Sequence, residues 1–442
     1  MDFIVITIFI VGYLAITLEH TLKIDKLIPA LAMMSFLWAI ISLNHLPVFE
    51  INSTLKSLEP THINEILLHH LGKTAEIIVF LLGAMTIVEI IDYFNGFYTI
   101  KTFIKTKSKI KLLWIFAFLA FSLSAIIDNL TATIVLITIL QKIVYDRDSR
   151  LWFAGLIIIA ANAGGAWSPI GDVTTTMLWI GDKVTTLNLI KYLLLPSIIC
   201  VLVPVFIASL LPSFRGKIIV PDVQDQTVFH PKGSIMLFLG LGAIIFVPVF
   251  KTITHLPPYV GMMLSLALVS TFAEIFSNAK INISSIDEES DAHSSHSPVH
   301  SSLSKIELPS ILFFLGILLS VAALESLGIL FQFADYLNKL IPNTDLVVIL
   351  FGFGSAVIDN VPLVAASMGM FSELVDDPLW HFIAFSAGTG GSMLVIGSAA
   401  GVVAMGMEKI DFFWYLKNIS WLALIGFISG SICFILIRNF II

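Results

Sequence analysis

The chain has few charged residues. Only 12% of its 442 residues are Asp, Glu, Lys or Arg, whereas 57% are hydrophobic and the mean hydropathy is +0.96. This shortage of charge excludes a large water-soluble domain and predicts a protein that crosses a lipid bilayer several times. The formal net charge of -7 therefore says little about partners. The lipid bilayer is the expected surroundings, and no nucleic-acid partner is predicted.

Cysteine is scarce, and the N-terminus lacks the features of a cleaved signal. Cys200 and Cys433 both lie in apolar runs, which argues against a disulfide framework. The opening residues Met1-Asp2-Phe3 carry no basic region, and no small-residue cleavage site follows them. We therefore expect the first apolar run to be a membrane span and not a removed signal peptide.

Long apolar stretches occur in two sets of six. Asp128 and Asp359 stand in nearly identical hexapeptides, SAIIDN and SAVIDN, 231 residues apart, and Gly83 and Gly316 are 233 residues apart. An internal duplication is the simplest explanation of this spacing. The stretches lie at about 3–18, 27–43, 75–94, 111–143, 151–181 and 189–211, and then at about 234–250, 258–277, 309–338, 345–374, 380–407 and 418–437.

The fourth and fifth stretches of each set differ from ordinary spans. A span needs about 20 apolar residues, and the two arms within 111–143 and within 345–374 are each too short to cross comfortably. We predict re-entrant hairpins there, with Asp-Asn at each tip. The fifth stretches, about 151–181 and 380–407, are predicted to be helices broken at paired glycines, and Pro169 marks the first break.

These elements predict an all-α polytopic membrane protein built from two inverted repeats. Residues 1–215 and 234–442 would each supply five transmembrane helices and one hairpin, joined by a cytoplasmic connector at 216–233. Because five crossings is an odd number, the second repeat must run in the opposite direction. On this topology, 17 of the 24 Lys and Arg residues lie on one side. The positive-inside rule then puts both termini outside the cytoplasm.

Two polar segments lie outside the spans. Within the Ser/His-rich loop 278–308, the Ser-rich acidic stretch 284–304 has the composition of a disordered cytoplasmic linker. The segment 50–73 precedes the third apolar stretch and is predicted to be an amphipathic helix at the membrane surface.

The four interruptions put polar residues at membrane depth. A carboxylate near mid-bilayer costs about 2.5 to 3.5 kcal/mol, so such a residue is functional by default. Irregular backbone is tolerated there only where it is buried in protein or lines a watery cavity, which predicts one central site. The candidate cation- and proton-binding residues are Asp128, Asn129, Asn162, Asp172, Thr174, Thr175, Ser355, Asp359 and Asn360.

This set of side chains is acidic and rich in oxygen, which suits a hard cation. No Lys, Arg or His stands in the four interruptions, so an anionic substrate would lack a countercharge. We expect Na+ at Asp128, Asp359 and Asp172. Desolvation favours the protonated form of a carboxylate, so Na+ and a proton would compete for the same oxygen. Such competition produces exchange without covalent chemistry, so neither a cofactor nor an enzymatic activity is predicted.

The motifs resemble those of NhaD-type sodium/proton antiporters, which belong to the ion transporter superfamily. The resemblance rests on SAIIDNLTAT around Asp128, SAVIDNVP around Asp359 and ANAGGAWSPIGDVTT ending at Thr175. Dicarboxylate carriers of the superfamily have Ser-Asn-Thr at the equivalent tips, where this chain has Asp-Asn. The resemblance implies Na+ and Li+ as substrates, a homodimer, a bacterial inner-membrane location and functional roles for the matching residues. After its glycines, however, the second half has no acidic counterpart to Asp172.

Other interpretations remain open at this stage. The three aspartates could instead cap helix starts, and Thr174 and Thr175 could bond back to their own helix. Among functions, uptake of an anion such as a dicarboxylate would require a cationic residue in the site. An intramembrane aspartyl protease would require two aspartates that share a proton. A cation channel would require an open acidic ring instead of a compact site.

Overall fold

A computed structural model describes most of the chain. The predicted ligand Asp359, the connector residues 219–230 and residues 278–296 of the Ser/His-rich loop lie outside the described residues. Those described are residues 2–17, 23–52, 57–104, 106–218, 231–277, 297–306, 308–341, 343–357 and 360–440.

The described residues are mostly helical. The first half contains α1 (Asp2–Thr17), α2 (Leu27–Leu43), β1 (Val48–Asn52), β2 (Ser57–Thr61), α3 (Ile63–Tyr93), α4 (Tyr98–Phe103), α5 (Lys109–Ile127), α6 (Asn129–Ile143), α7 (Arg147–Gly165), α8 (Val173–Ile180) and α9 (Thr186–Leu210). The second half contains α10 (Pro231–Thr254), α11 (Pro258–Ser277), α12 (Pro298–Leu303), α13 (Leu308–Ser326), α14 (Ile329–Leu340), α15 (Thr344–Val357), α16 (Asn360–Met370), α17 (Pro378–Gly390), α18 (Ala399–Glu408), α19 (Phe412–Asn418) and α20 (Ser420–Phe440).

Seven of the described helices have the length and apolar composition to cross a membrane: α3, α5, α9, α10, α11, α13 and α20. Shorter apolar helices include α6, α15, α16 and α18, which adjoin the predicted interruptions. The predicted class, a helical multi-pass membrane protein, is thereby confirmed. The two inverted repeats and their re-entrant hairpins stay predictions.

The prediction for the segment 50–73 is wrong. Instead of one interfacial helix, β1 pairs antiparallel with β2, so that Val48 lies opposite Thr61. Helix α3 then begins at Ile63 and continues without a break into the third apolar stretch. Val48, Phe49 and Ile51 have β-branched or aromatic side chains, which favour strands, and backbone pairing with β2 satisfies the polar groups of β1.

The chain divides into two compact units. The first comprises Met1–Ile78, Thr106–Asp222 and Pro309–Ile442, and the second comprises Val79–Lys105 and Val223–Leu308. In the first unit, α9 packs against α20, α5 against α7 and α15 against α17. In the second unit, α10 packs against α11. All the described residues of the four interruptions belong to the first unit.

Candidate ion-binding site

Both fifth stretches contain a helix that ends and restarts. Helix α7 ends at Gly165 and α8 begins at Val173, while α17 ends at Gly390 and α18 begins at Ala399. Glycine allows each first half-helix to approach its neighbour very closely. A Cβ atom on Gly164 would lie 2.3 Å from the carbonyl oxygen of Phe121, and one on Gly390 would lie 2.2 Å from that of Gly352. Any larger residue at these two glycines would push the helices apart.

Serines reinforce the same contact in both halves. The Ser124 hydroxyl donates to the carbonyl oxygen of Ala161, joining α5 to α7 at 2.6 Å. The Ser355 hydroxyl donates to the carbonyl oxygen of Ala387, joining α15 to α17 at 2.6 Å. The predicted ligand Ser355 therefore lies in a helix-to-helix hydrogen bond.

Asp172 is the carboxylate that receives the asparagines of both Asp-Asn motifs. It is 2% exposed, and it caps α8 by accepting the Thr174 backbone N–H at 3.0 Å. Its Oδ2 atom accepts the Asn129 side-chain amide at 2.8 Å and the Asn360 side-chain amide at 3.2 Å. These two asparagines begin α6 and α16, so one side chain gathers residues from three interruptions.

Asn162 brings the fourth interruption to the same place. Its Oδ1 atom accepts the amide of Asn129 at 3.0 Å. Its own Nδ2 donates to the hydroxyl oxygens of Ser392 and Ser398, each at 2.9 Å. Polar side chains from all four interruptions thus form one buried hydrogen-bonded cluster.

Two members of this cluster, Ser392 and Ser398, were not predicted from the sequence. A signal for Ser398 was present, because Gly165, Gly171 and Asp172 stand 226 residues before Gly391, Gly397 and Ser398. The structure agrees with this alignment. Ser398 caps α18 with φ -146° and ψ 154°, and Asp172 caps α8 with φ -148° and ψ 146°. Ser398 is therefore the structural counterpart of Asp172, without its charge.

Asp128 caps a helix at the first hairpin tip. Its carboxylate accepts the backbone N–H of Thr131 at 2.8 Å and the Thr131 hydroxyl at 2.9 Å. Its backbone has φ 80° and ψ 159°. The matching residue Asp359 lies outside the described residues.

The two predicted threonines have different surroundings. The Thr175 hydroxyl donates to the backbone carbonyl of Asp172 at 2.9 Å, which is a bond within its own helix end. The Thr174 hydroxyl is buried and has no hydrogen-bond partner among the described residues. Thr174 therefore retains a polar oxygen beside the cap of α8.

The electrostatics of the cluster are simple. The described residues contain no group of three or more His, Cys, Asp or Glu side chains that could hold a metal ion. As far as the structure describes it, the hydrogen-bonded cluster contains one carboxylate, and its other members are neutral amides and hydroxyls. Gly388, the residue that aligns with Asn162, packs closely beside this carboxylate, since a Cβ on it would lie 3.3 Å from the Cβ of Ala166 and 3.9 Å from Asp172 Oδ2. Such a site suits a single positive charge, either a monovalent cation or a proton.

The fold and this site define a multi-pass membrane carrier. Residues 4–381 match the family described as "Citrate transporter". "Sodium/proton antiporter 1" of Arabidopsis thaliana is 44% identical over 98% of this chain and 72% of its own length. "Na(+)/H(+) antiporter NhaD" of Vibrio cholerae is 30% identical over 98% of this chain and 91% of its own length. The YdaH transporter of Alcanivorax borkumensis has a similar fold, with a TM-score of 0.54, 12% identity and coverage of 94% and 97% of the two chains.

The chain belongs to the family of NhaD-type Na+/H+ antiporters. The predicted family is therefore confirmed. The relatives come from a plant and from bacteria, so a bacterial origin stays a prediction.

Proposed function

We propose that this chain exchanges Na+ for H+ across the membrane at the carboxylate of Asp172, with Li+ as a second substrate. The observation that carries the proposal is the set of bonds on Asp172, which is buried and accepts amide donors from both Asn129 and Asn360. One buried negative charge among neutral ligands accommodates either one monovalent cation or one proton. The names of the relatives, sodium/proton antiporters, agree with this function.

The proposed Na+ ligands are oxygen atoms of the cluster. Asp172 offers its carboxylate, and Thr174 offers a buried hydroxyl that has no partner among the described residues. Rotation of the Asn129 and Asn360 amides by half a turn would present their oxygens to the ion in place of their NH2 groups. Hard cations take such oxygen ligands. After the ion leaves, the same amides would turn their NH2 groups back towards the carboxylate.

Proton and cation would compete at this site because both bind the same carboxylate. We propose Asp128 and Asp359, which precede the two tip asparagines, as further cation and proton acceptors. Asn162, Thr175 and Ser355 would hold the geometry through the bonds described above. Exchange would then require the site to open alternately to the two sides, by a motion of the hairpins and broken helices against the other helices.

The proposal includes the membrane arrangement predicted from the sequence. Residues 1–215 and 234–442 would form the inverted repeats, with α5 and α6, and likewise α15 and α16, as the re-entrant hairpins. Both termini would lie outside the cytoplasm, and two copies of the chain would form a homodimer. If the chain is bacterial, the membrane would be the inner one.

The test is cation-driven dequenching of a pH-gradient dye in everted membrane vesicles that contain the protein. Wild type should respond to Na+ and Li+, and Asp172→Asn should abolish the response because it removes the carboxylate proposed to bind the cation. Asp146→Asn is the matched control, since Asp146 also caps a helix, accepting the Ser149 backbone N–H at 3.0 Å. Asparagine caps helices about as well as aspartate, so this control should keep its response.

Citrate forms a further arm of the same experiment, because the matching family is described as citrate transporters. The proposal expects no effect of citrate on the dye signal. If the Asp172→Asn variant keeps the full response to Na+, the role assigned to Asp172 is wrong. A response to citrate with none to Na+ would replace the proposed function by anion uptake.

A further inference from the structure

A buried ion pair joins the far ends of the helices that carry the site. Arg150 Nε donates to the two carboxylate oxygens of Glu408 at 3.1 Å and 3.0 Å. The Glu408 side chain is only 1% exposed. A buried ion pair gives little net stability compared with well-packed apolar residues, so stability alone is a weak reason for this pair.

The position of Glu408 gives the ion pair a local role at the C-terminal end of α18. Glu408 is the last residue of α18, and a negative charge at a helix C-terminus is unfavourable because of the helix dipole. The Arg150 guanidinium offsets this charge and fixes the end of α18. Arg147 adds a second contact there, because its Nη2 donates to the carbonyl oxygen of Lys409 at 3.2 Å.

The same guanidinium also holds the end of α6. Arg150 Nη1 donates to the carbonyl oxygens of Val144 at 3.2 Å and Tyr145 at 2.9 Å, directly after α6 ends. Arg150 itself lies in the first turn of α7. One side chain therefore joins the end of α6, the start of α7 and the end of α18.

The opposite ends of these three helices meet in the ion site. Asn129 begins α6, Asn162 lies in the last turn of α7, and Ser398 caps α18. Asn162 bonds to both of the others, at 3.0 Å and 2.9 Å. With a rise of about 1.5 Å per residue, the 15 residues of α6 separate the two junctions by roughly 20 Å. Each helix is thus fixed at both ends.

The other half has a corresponding junction with different chemistry. Asp376, in the segment that enters α17, accepts the Thr185 backbone N–H and the Asn188 side-chain amide, each at 2.7 Å. Its own N–H donates to the carbonyl oxygen of Lys183, just after α8, at 2.9 Å. Burial raises the pKa of Asp376, but the hydrogen bonds from Thr185 and Asn188 outweigh burial and hold that pKa below its usual range.

We propose that Arg150 and Glu408 are positioning residues for the ion site. The pair fixes α18 against α6 and α7, which keeps Ser398 bonded to Asn162 and so sets the affinity of the site for Na+. This inference rests on the proposed function. Asp376 performs the same task at the junction of α8 with the segment before α17.

The test measures the Na+ dependence of dye dequenching in everted vesicles with matched amounts of protein. Glu408→Gln should raise the KM for Na+ about tenfold and leave the maximal rate within about twofold, because the site is displaced while its ligands remain. Arg150→Lys should raise the KM about threefold, since an ammonium keeps the charge but cannot make all the guanidinium bonds. Arg215→Gln, which removes an exposed arginine, should match wild type.

The split between KM and maximal rate separates positioning from a purely structural role. An unchanged KM in both Glu408→Gln and Arg150→Lys, with or without a lower rate, would overturn the inference and leave the proposed function intact. If Glu408→Gln does not reach the membrane, the KM of Arg150→Lys alone decides between a positioning role and a purely structural one. A wild-type protein without any Na+ signal would remove the proposed function and, with it, this inference.

Discussion

In the first half of the chain the restarted helix is capped by Asp172, whereas in the second half it is capped by Ser398. The backbone around the two caps is nearly the same, and the glycine contacts and the serine bonds that pack the half-helices recur in both halves. Among the described residues, which do not include Asp359, only the first half contributes a carboxylate to the hydrogen-bonded cluster. The comparison teaches that the two halves share a packing arrangement, while the carboxylate of the described cluster comes from the first half.

The largest effect on Na+-driven exchange is expected when the two capping residues are exchanged. Asp172→Ser should reduce Na+-driven exchange by roughly 100-fold or more, because removing one partner of a buried pair of opposite charges costs about 3–5 kcal/mol. Adding Ser398→Asp should not restore exchange, since Asn129 and Asn360 both donate to Asp172. Dye dequenching in vesicles measures both variants. Recovery in the double variant would mean that either half can carry the charge.

The shared packing predicts equal effects at the two paired glycines. Gly164→Ala and Gly390→Ala should each destabilise the protein by about 1–3 kcal/mol, the usual cost of overpacking, because the new methyl group meets a backbone oxygen. Heating the detergent-solubilised protein and measuring the fraction that stays monodisperse gives the comparison. Gly406→Ala is the control, since its Cβ would have no neighbour within 4 Å. A large loss in one half only would contradict the shared packing.

A smaller effect is expected from the neutral cap. Ser398→Ala removes an N-cap, which costs about 0.5–2 kcal/mol, together with the bond from Asn162. The KM for Na+ should therefore rise roughly 3- to 30-fold, in proportion to that free energy. Ser398→Thr keeps the hydroxyl and should stay close to wild type. A wild-type KM in Ser398→Ala would place the Ser398 cap outside the ion chemistry.

The smallest effects belong to the matched serines. Ser124→Ala and Ser355→Ala each remove one hydrogen bond to a buried carbonyl oxygen, at a cost of about 0.5–1.5 kcal/mol. The unfolding temperature should fall by a similar small amount in both variants, and the KM for Na+ should change less than in Ser398→Ala. A selective rise in KM for Ser355→Ala would sharpen the comparison, because it would assign a ligand role to Ser355 alone.

The sequence predicted the parts of the site that interrupt apolar runs. Polar residues and paired glycines at membrane depth are visible without any structure, so Asn129, Asn162, Asp172 and Asn360 could be selected together. Their order of importance could not be predicted from the sequence, because it depends on which side chains are in contact in the folded protein. Asp128 ranked above Asp172 in the sequence, yet Asp172 is the carboxylate that accepts both tip asparagines.

Other features were hidden for identifiable reasons. Ser398 is a small polar residue in a run of small residues, and its role depends on a bond to Asn162, which is 236 residues away. The Arg150–Glu408 pair joins the two halves across 258 residues, and neither residue belongs to a motif. The small sheet at residues 48–61 was missed because a short polar segment before a long span also fits a surface helix.

The backbone of Asp128 has one further consequence. Its φ of 80° and ψ of 159° fall in a region that glycine enters readily and other residues enter at a strain of order 1–3 kcal/mol. A search for heat-stabilising substitutions on backbone grounds would therefore select glycine at this position first. That choice would delete a carboxylate from the hairpin tip, so engineering this protein for durability and preserving its transport are opposing aims at residue 128.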